Sequence, residues 1–110
     1  AGWLTVYHGV TLDARPACGW RNDWTKLYQA GVMLLDLDEP HRIIGRCREP
    51  VLTPDQPYED QRCGGYRPNV VFPGGLIPED DGTCKLYYGS ADTTVCVATA
   101  KIQDLVDLCR

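Results

Sequence analysis

The sequence predicts an all-β chain of antiparallel strands that ends in a short C-terminal helix. Short runs of β-branched and aromatic residues recur along its 110 residues, and clusters of Gly, Pro, Asn and Asp separate them. Apolar residues recur with helical spacing near the C-terminus. A chain of this length builds one compact domain around one hydrophobic core.

Three strands are predicted in the first half of the chain: Trp3–His8, Tyr28–Leu37 and His41–Arg46. Gly9 is expected to end the first strand, and the polar stretch 11–26, rich in turn-forming residues, is expected to be a loop or insertion. The second strand is apolar on both faces for part of its length, which implies cover on both sides. Asp38-Glu39-Pro40 supplies the turn to the third strand.

The second half begins with a connection over 49–65 that is too rich in proline for a helix. Three strands then follow: Asn69–Ile77, Cys84–Tyr88 and Thr94–Ala100. Pro73 and the glycines after it predict a bulge in the first of these, and Asp81-Gly82 predicts a hairpin turn before the second. Apolar residues at i, i+3, i+4 and i+7 predict the terminal helix: Ile102, Leu105, Val106 and Cys109.

An internal repeat underlies this order of strands. Val6-Tyr7-His8-Gly9 is similar to Leu86-Tyr87-Tyr88-Gly89, and one strand–gap–strand unit is about 65 residues once 11–26 is treated as an insertion. A unit of antiparallel strands of that length suits a propeller blade with long loops. The alternative is that any two β-hairpins resemble each other this closely. The repeat divides the chain into units of about 1–66 and 67–110.

Charge and cysteine usage limit the partners and the compartment. With 11 basic and 15 acidic residues the net charge is −4, so nucleic acid and anionic membranes are not expected partners. Of six cysteines, three occupy apolar strand or helix positions, and no Cys-x-x-Cys or Cys-x-x-His spacing suggests zinc. Free thiols and a reducing cytoplasm are therefore expected, with disulfides or a metal site as the alternatives.

Four residues are candidates for binding a ligand. His8 lies at the end of a strand, where it could contact an anion or a sugar, or be a half-buried ring bonded to a backbone carbonyl. Asp92, among small residues, could accept hydrogen bonds from sugar hydroxyls or form an Asx-turn with the amide two residues on. Phe72 and Tyr28 could line a pocket or pack in the core.

Other candidate chemistry receives less support. Asp36, Asp38 and Glu39 look like paired glycosidase carboxylates, but their position predicts a solvated hairpin tip instead. The chain contains no Gly-x-Ser-x-Gly, P-loop, dinucleotide or His-Glu-x-x-His motif.

Four motifs, in order, resemble the C-terminal part of glycoside hydrolase family 130, the β-1,4-mannosyl-sugar phosphorylases and related β-mannosidases. They are 2–10, which contains Tyr-His-Gly, 28–40, 68–75, which contains Asn-Val-Val-Phe-Pro-Gly-Gly, and 86–93, which contains Tyr-Tyr-Gly-Ser-Ala-Asp-Thr. The resemblance implies about two blades of a five-bladed β-propeller. It also implies that inorganic phosphate is a possible co-substrate and that no other cofactor is needed.

The resemblance assigns roles to the four candidates. His8 matches a phosphate-contacting histidine, Asp92 a sugar-binding aspartate, and Phe72 and Tyr28 pocket-lining aromatics. The catalytic general acid and most phosphate ligands of the family have no counterpart here, so no catalytic residue is assigned. The sequence departs from the family pattern in the cysteine-bearing insertion 17–24, in Cys63 and in Arg67.

Two functions follow as expectations. The first is a piece of a β-mannoside phosphorylase or glycosidase that is inactive alone. The alternative is a non-catalytic, self-associating carbohydrate-binding or structural module. Open blade edges are unpaired strands, so a homo-oligomer is expected.

Overall fold

The structure is a computed structural model that describes residues 2–12, 26–59, 66–67 and 69–110. Its elements confirm the all-β prediction, since six strands precede one short helix: β1 (Gly2–Leu12), β2 (Lys26–Asp36), β3 (Ile43–Arg46), β4 (Val71–Pro78), β5 (Thr83–Ser90), β6 (Thr94–Lys101) and α1 (Ile102–Leu108). In the described part of the chain the strands form two antiparallel sheets, ordered β1-β2-β3 and β4-β5-β6.

The first sheet differs from the prediction at its longest strand pair. β1 does not end at Gly9 but continues to Leu12, paired with β2 over its whole length from Gly2↔Asp36 to Leu12↔Lys26. Gly9 pairs with Gln29 inside the ladder, where an unbroken partner strand holds a glycine extended. Thr11, Leu12 and Lys26, predicted as loop, are therefore strand residues, and the rest of the predicted insertion lies outside the described residues.

The second sheet agrees with the predicted turn and bulge. The register between β4 and β5 shifts between Pro73 and Gly75, so the ladder bulges at the predicted place. Gly82 has φ 86°, in the left-handed region that the β4–β5 turn requires, and the amide and hydroxyl of Thr83 bond the Asp81 carboxylate there.

Two clusters of buried apolar residues fill the space between the sheets and under the helix. One contains Val32, Leu34, Cys47 and Cys109, and the other contains Ala30, Val71 and Tyr88. Val6 and Val51 pack against both clusters, so the two parts of the core are continuous through them. The alternation of buried and exposed residues along β5 is the period-2 pattern of a strand with one face in this core.

The helix α1 is held by its apolar face and by the turn that begins β5. Leu105 and Val106 pack against the first cluster, and the Ile102 amide donates to the Gly82 carbonyl at 3.0 Å. A seven-residue helix has little stability on its own, so packing on the sheet must maintain it. In the described residues there is no helix with the length and apolar character needed to cross a bilayer.

Candidate sugar-binding site

The candidate site lies where the start of β2 meets the start of β4. The Tyr28 amide donates to the Asn69 carbonyl at 3.0 Å, and Tyr28 and Val70 form a parallel bridge between the sheets. These backbone contacts bring the motif on β2 against the motif that enters β4. Sequence separation alone gave no indication that these two segments touch.

Three of the predicted residues form an aromatic cluster. The His8 ring lies 4.4 Å from the Phe72 ring and 5.7 Å from the Tyr28 ring between centroids, stacked on the latter at 21°. Tyr28 and Phe72 are 6.3 Å apart. His8 is exposed and Phe72 is 46% exposed, so these rings are not core residues. Exposed aromatic faces of this kind can pack against the apolar C–H face of a sugar ring.

The fourth predicted residue, Asp92, faces the same place. A cavity of about 130 Å³ is lined by Tyr28, Phe72 and Asp92 together with Val70 and Arg67. The structure thus brings all four candidates together, with Asp92 and two aromatic rings on the cavity and His8 in contact with both rings.

The local alternatives for His8 and Asp92 do not occur among the described residues. No described group hydrogen-bonds the ring nitrogens of His8, whose contacts are the two aromatic rings. The Asp92 carboxylate likewise takes no hydrogen bond from the amide of Thr94; instead, the turn is closed by the Thr93 amide donating to the Ser90 carbonyl at 3.0 Å. Both side chains are exposed polar groups with hydrogen-bonding capacity to offer a ligand.

Arg67 adds a positive charge to the cavity wall. Its guanidinium lies 4.4 Å from the centre of the Tyr66 ring, and its amide donates to the Ala91 carbonyl at 2.9 Å. In the sequence, Arg67 stood out only as a departure from the family pattern. Its neighbours in the sequence did not indicate that it would line the same cavity as Asp92. A guanidinium beside a carboxylate and aromatic rings can bind hydroxyl or anionic oxygens.

The carboxylates of the β2–β3 turn, which the sequence offered as a glycosidase-like group, do not line this cavity. Asp36 accepts the amides of Asp38 and Glu39 at 3.0 Å each, and Glu39 pairs with Arg42 at 3.1 Å at the exposed β2–β3 turn.

Four cysteines are described, and all are free thiols: Cys47, Cys84, Cys96 and Cys109. Cys63 and the stretch 17–24 lie outside the described residues. In the part of the chain that is described, no three His, Cys, Asp or Glu side chains meet as metal ligands would.

Comparison with known proteins identifies the family to which the chain belongs. The family model of glycoside hydrolase family 130, described as beta-1,4-mannooligosaccharide phosphorylase, matches residues 1–110, and the chain belongs to this family. The two sheets are therefore part of a five-bladed propeller.

Individual relatives are phosphorylases by name. The chain is 38% identical over 104 residues to the 1,2-beta-oligomannan phosphorylase of Thermoanaerobacter sp. (strain X514), covering 94% of this chain and 30% of that protein. It is 39% identical over 107 residues to the Beta-1,4-mannooligosaccharide phosphorylase of Ruminococcus albus, covering 96% and 28%. The chain thus spans less than a third of the length of these relatives.

Solved structures superpose on nearly the whole of this chain. The Beta-1,2-Mannobiose phosphorylase from Listeria innocua, in complex with beta-1,2-mannobiose, superposes with a TM-score of 0.76 at 33% identity, over 98% of this chain and 26% of that one. A glycosyl hydrolase from Bacteroides ovatus superposes with a TM-score of 0.66 at 30% identity, over 93% and 27%.

Proposed function

We propose that this chain carries part of the β-mannoside and phosphate site of a family 130 phosphorylase. The observation that supports the proposal best is the convergence of His8, Tyr28, Phe72 and Asp92 on one cavity and its rim. The names of the relatives, which are phosphorylases of mannose-containing saccharides, support the same substrate class.

Each residue has a role that its chemistry fits. The rings of Tyr28 and Phe72 pack against the sugar, and the Asp92 carboxylate accepts hydrogen bonds from its hydroxyls. His8, which contacts both rings, donates a ring N–H to inorganic phosphate. Phosphate is the co-substrate, and no further cofactor is required.

Catalysis is not expected from the chain by itself. The general acid of the family has no counterpart in this sequence, and removing a general acid alone costs about 10²–10⁴-fold in rate. The chain is therefore expected to bind a β-mannoside without cleaving it.

Titration of the 110-residue chain with β-1,4-mannobiose, followed by amide NMR, tests the binding. Shifts are expected at Tyr28, Phe72 and Asp92, and Asp92→Asn should weaken binding about tenfold or more because a charge-assisted hydrogen bond is lost. Asp80→Asn, which removes an exposed carboxylate at the β4–β5 turn, should leave affinity unchanged. Absence of shifts in the wild-type chain would contradict the proposal, and release of mannose 1-phosphate would contradict the expected inactivity.

A second candidate function is a self-associating, non-catalytic module. It is favoured by the outer face of the second sheet, which exposes Val95 by 79%, Val97 by 51%, Ile77 by 49% and Tyr87 by 40%. Register places these side chains on the side of the sheet opposite the core. Exposed apolar faces and open strand edges favour association.

Sedimentation velocity tests this second function. The wild-type chain is expected to form oligomers, and Val97→Lys should shift them toward monomers, whereas Asp80→Lys at the exposed turn should not. A monodisperse wild-type monomer would rule out self-association.

The compartment is part of the same proposal. The four described cysteines are free thiols, which supports a reducing compartment such as the cytoplasm.

A further inference from the structure

Glu59 is a carboxylate buried to 1% exposure beneath the candidate site. Its Oε2 accepts the Tyr88 hydroxyl at 2.6 Å, and its Oε1 accepts the amides of Asp55 and Gln56 at 3.2 and 3.1 Å. Buried carboxylates are rare in proteins, because the loss of hydration must be offset by donors of this kind. Three donors fix the position of this side chain.

The backbone of Glu59 connects this fixed side chain to the site. Its carbonyl accepts the Val70 amide at 3.2 Å, and the Val70 carbonyl accepts the Ala91 amide at 3.0 Å. Val70 lines the cavity, and Ala91 immediately precedes Asp92. Two consecutive hydrogen bonds therefore lead from the buried glutamate to the turn that presents the Asp92 carboxylate.

That turn has an unfavourable backbone conformation. Ala91 and Asp92 have φ 48° and 55°, and Ala91 is fully buried. Alanine in particular occupies the left-handed region only where its surroundings hold it there. Among the groups that hold it is the Ala91–Val70 hydrogen bond, whose acceptor belongs to the residue anchored by Glu59.

We propose that Glu59 is a positioning residue for sugar binding. Bonded to Tyr88 on β5, it holds Val70, and through Val70 the Ala91–Asp92 turn, in the conformation that aims the Asp92 carboxylate at a ligand hydroxyl. This rests on the proposed function, in which Asp92 binds the sugar.

Three variants of the 110-residue chain test it. Glu59→Ala removes the anchor. In Glu59→Gln the amide oxygen can still accept the two backbone amides, and the amide nitrogen can donate to the Tyr88 oxygen. Cys84→Ala is the matched control, because Cys84 is 1% exposed on the same face of β5 but lies at its other end.

Affinity for β-1,4-mannobiose is measured at a temperature where circular dichroism shows each variant folded. Glu59→Ala is expected to weaken binding about tenfold, Glu59→Gln to recover most of that loss, and Cys84→Ala to lower the melting temperature without changing affinity. If Glu59→Ala does not fold, Tyr88→Phe, which removes one donor and keeps the ring, is expected to weaken binding severalfold.

The outcomes separate the two proposals. If Asp92→Asn weakens binding but neither Glu59→Ala nor Tyr88→Phe does, Glu59 does not position Asp92, although the proposed function stands. If the wild-type chain binds no mannoside, the proposed function fails, and hydrogen exchange of the Ala91 amide then tests whether Glu59 holds the turn. Exchange of the Ala91 amide should then be faster in the folded Glu59 or Tyr88 variant than in Cys84→Ala, and equal rates would overturn the positioning role.

Discussion

Replacing Gly45 by alanine should detach the C-terminal helix from the first sheet. Gly45 lies in β3, and a methyl group added to it would overlap the carbonyl oxygen of Cys109, which is backbone and cannot rotate away. Cys109 is buried to 4% exposure, and the half-buried Leu105 and Val106 pack on the same cluster. The strand and the helix terminus cannot both keep their positions in the variant.

The expected loss of folding free energy comes from the side chains that stay packed only while the helix remains against the first sheet. Burial of an aliphatic side chain contributes about 1.5–3 kcal/mol when it is complete, so Leu105, Val106 and the small Cys109 together contribute about 3 kcal/mol. A domain near 100 residues loses about 4 °C or more of melting temperature for each kcal/mol. Gly45→Ala should therefore melt roughly 10–15 °C lower than the wild-type chain.

Urea and thermal denaturation followed by circular dichroism measure this loss, and limited proteolysis of the last turn shows whether the helix has detached. Gly9→Ala is the control, since Gly9 is also a strand residue but has no atom near the added methyl group. It should be neutral or slightly stabilising, because alanine loses less backbone entropy than glycine. Equal stability of Gly45→Ala and the wild-type chain would refute the argument.

Three further predictions concern titration and reactivity. Burial and the hydrogen bond to a carboxylate raise the pKa of Tyr88, so the stability it contributes is present below the ordinary tyrosine pKa of about 10 and is lost as pH rises above it. The part of the tyrosinate absorbance that is absent from Tyr88→Phe should therefore appear together with alkaline unfolding rather than before it. Hydrogen bonds from Thr83 lower the pKa of Asp81, so the stability that Asp81 contributes is present above the ordinary Asp pKa and is lost as pH falls through the lowered value. An NMR titration of Asp81 should show a midpoint below that of an unfolded peptide, and Asp81→Asn should remove this part of the pH dependence of stability. Burial raises the pKa of the Cys84 thiol, so Cys84 should be alkylated slowly in the folded chain and quickly in urea, as measured by peptide mass spectrometry. Equal rates of alkylation would show that the thiol is accessible in the folded chain.

The fold was predictable because its signals are local. The Asp81-Gly82 turn, the interruption of β4 at Pro73 and the period of α1 each act within a few residues, and each appears where predicted. The end of β1 was placed too early because a glycine weakens a strand by its own propensity, whereas eleven residues of pairing with β2 outweigh that preference.

The site was predictable only in part. His8, Tyr28, Phe72 and Asp92 stand in motifs, so their residue types could be read from the sequence, but their convergence depends on contacts between distant segments. Glu59 could not be anticipated. It follows Pro57 and Tyr58 in an irregular connection, and burial of a carboxylate depends on three donors supplied by the folded chain.

The sheet order has a consequence for how the chain folds. Among the described residues, each sheet consists of three strands that are consecutive in the sequence, so each sheet can form before the two sheets meet. The contacts between the sheets that join distant segments, such as those of Tyr28 with Asn69 and Val70, then form after a large loop has closed. Docking of the two sheets, rather than strand pairing, is therefore expected to be the slow step in assembly of the candidate site.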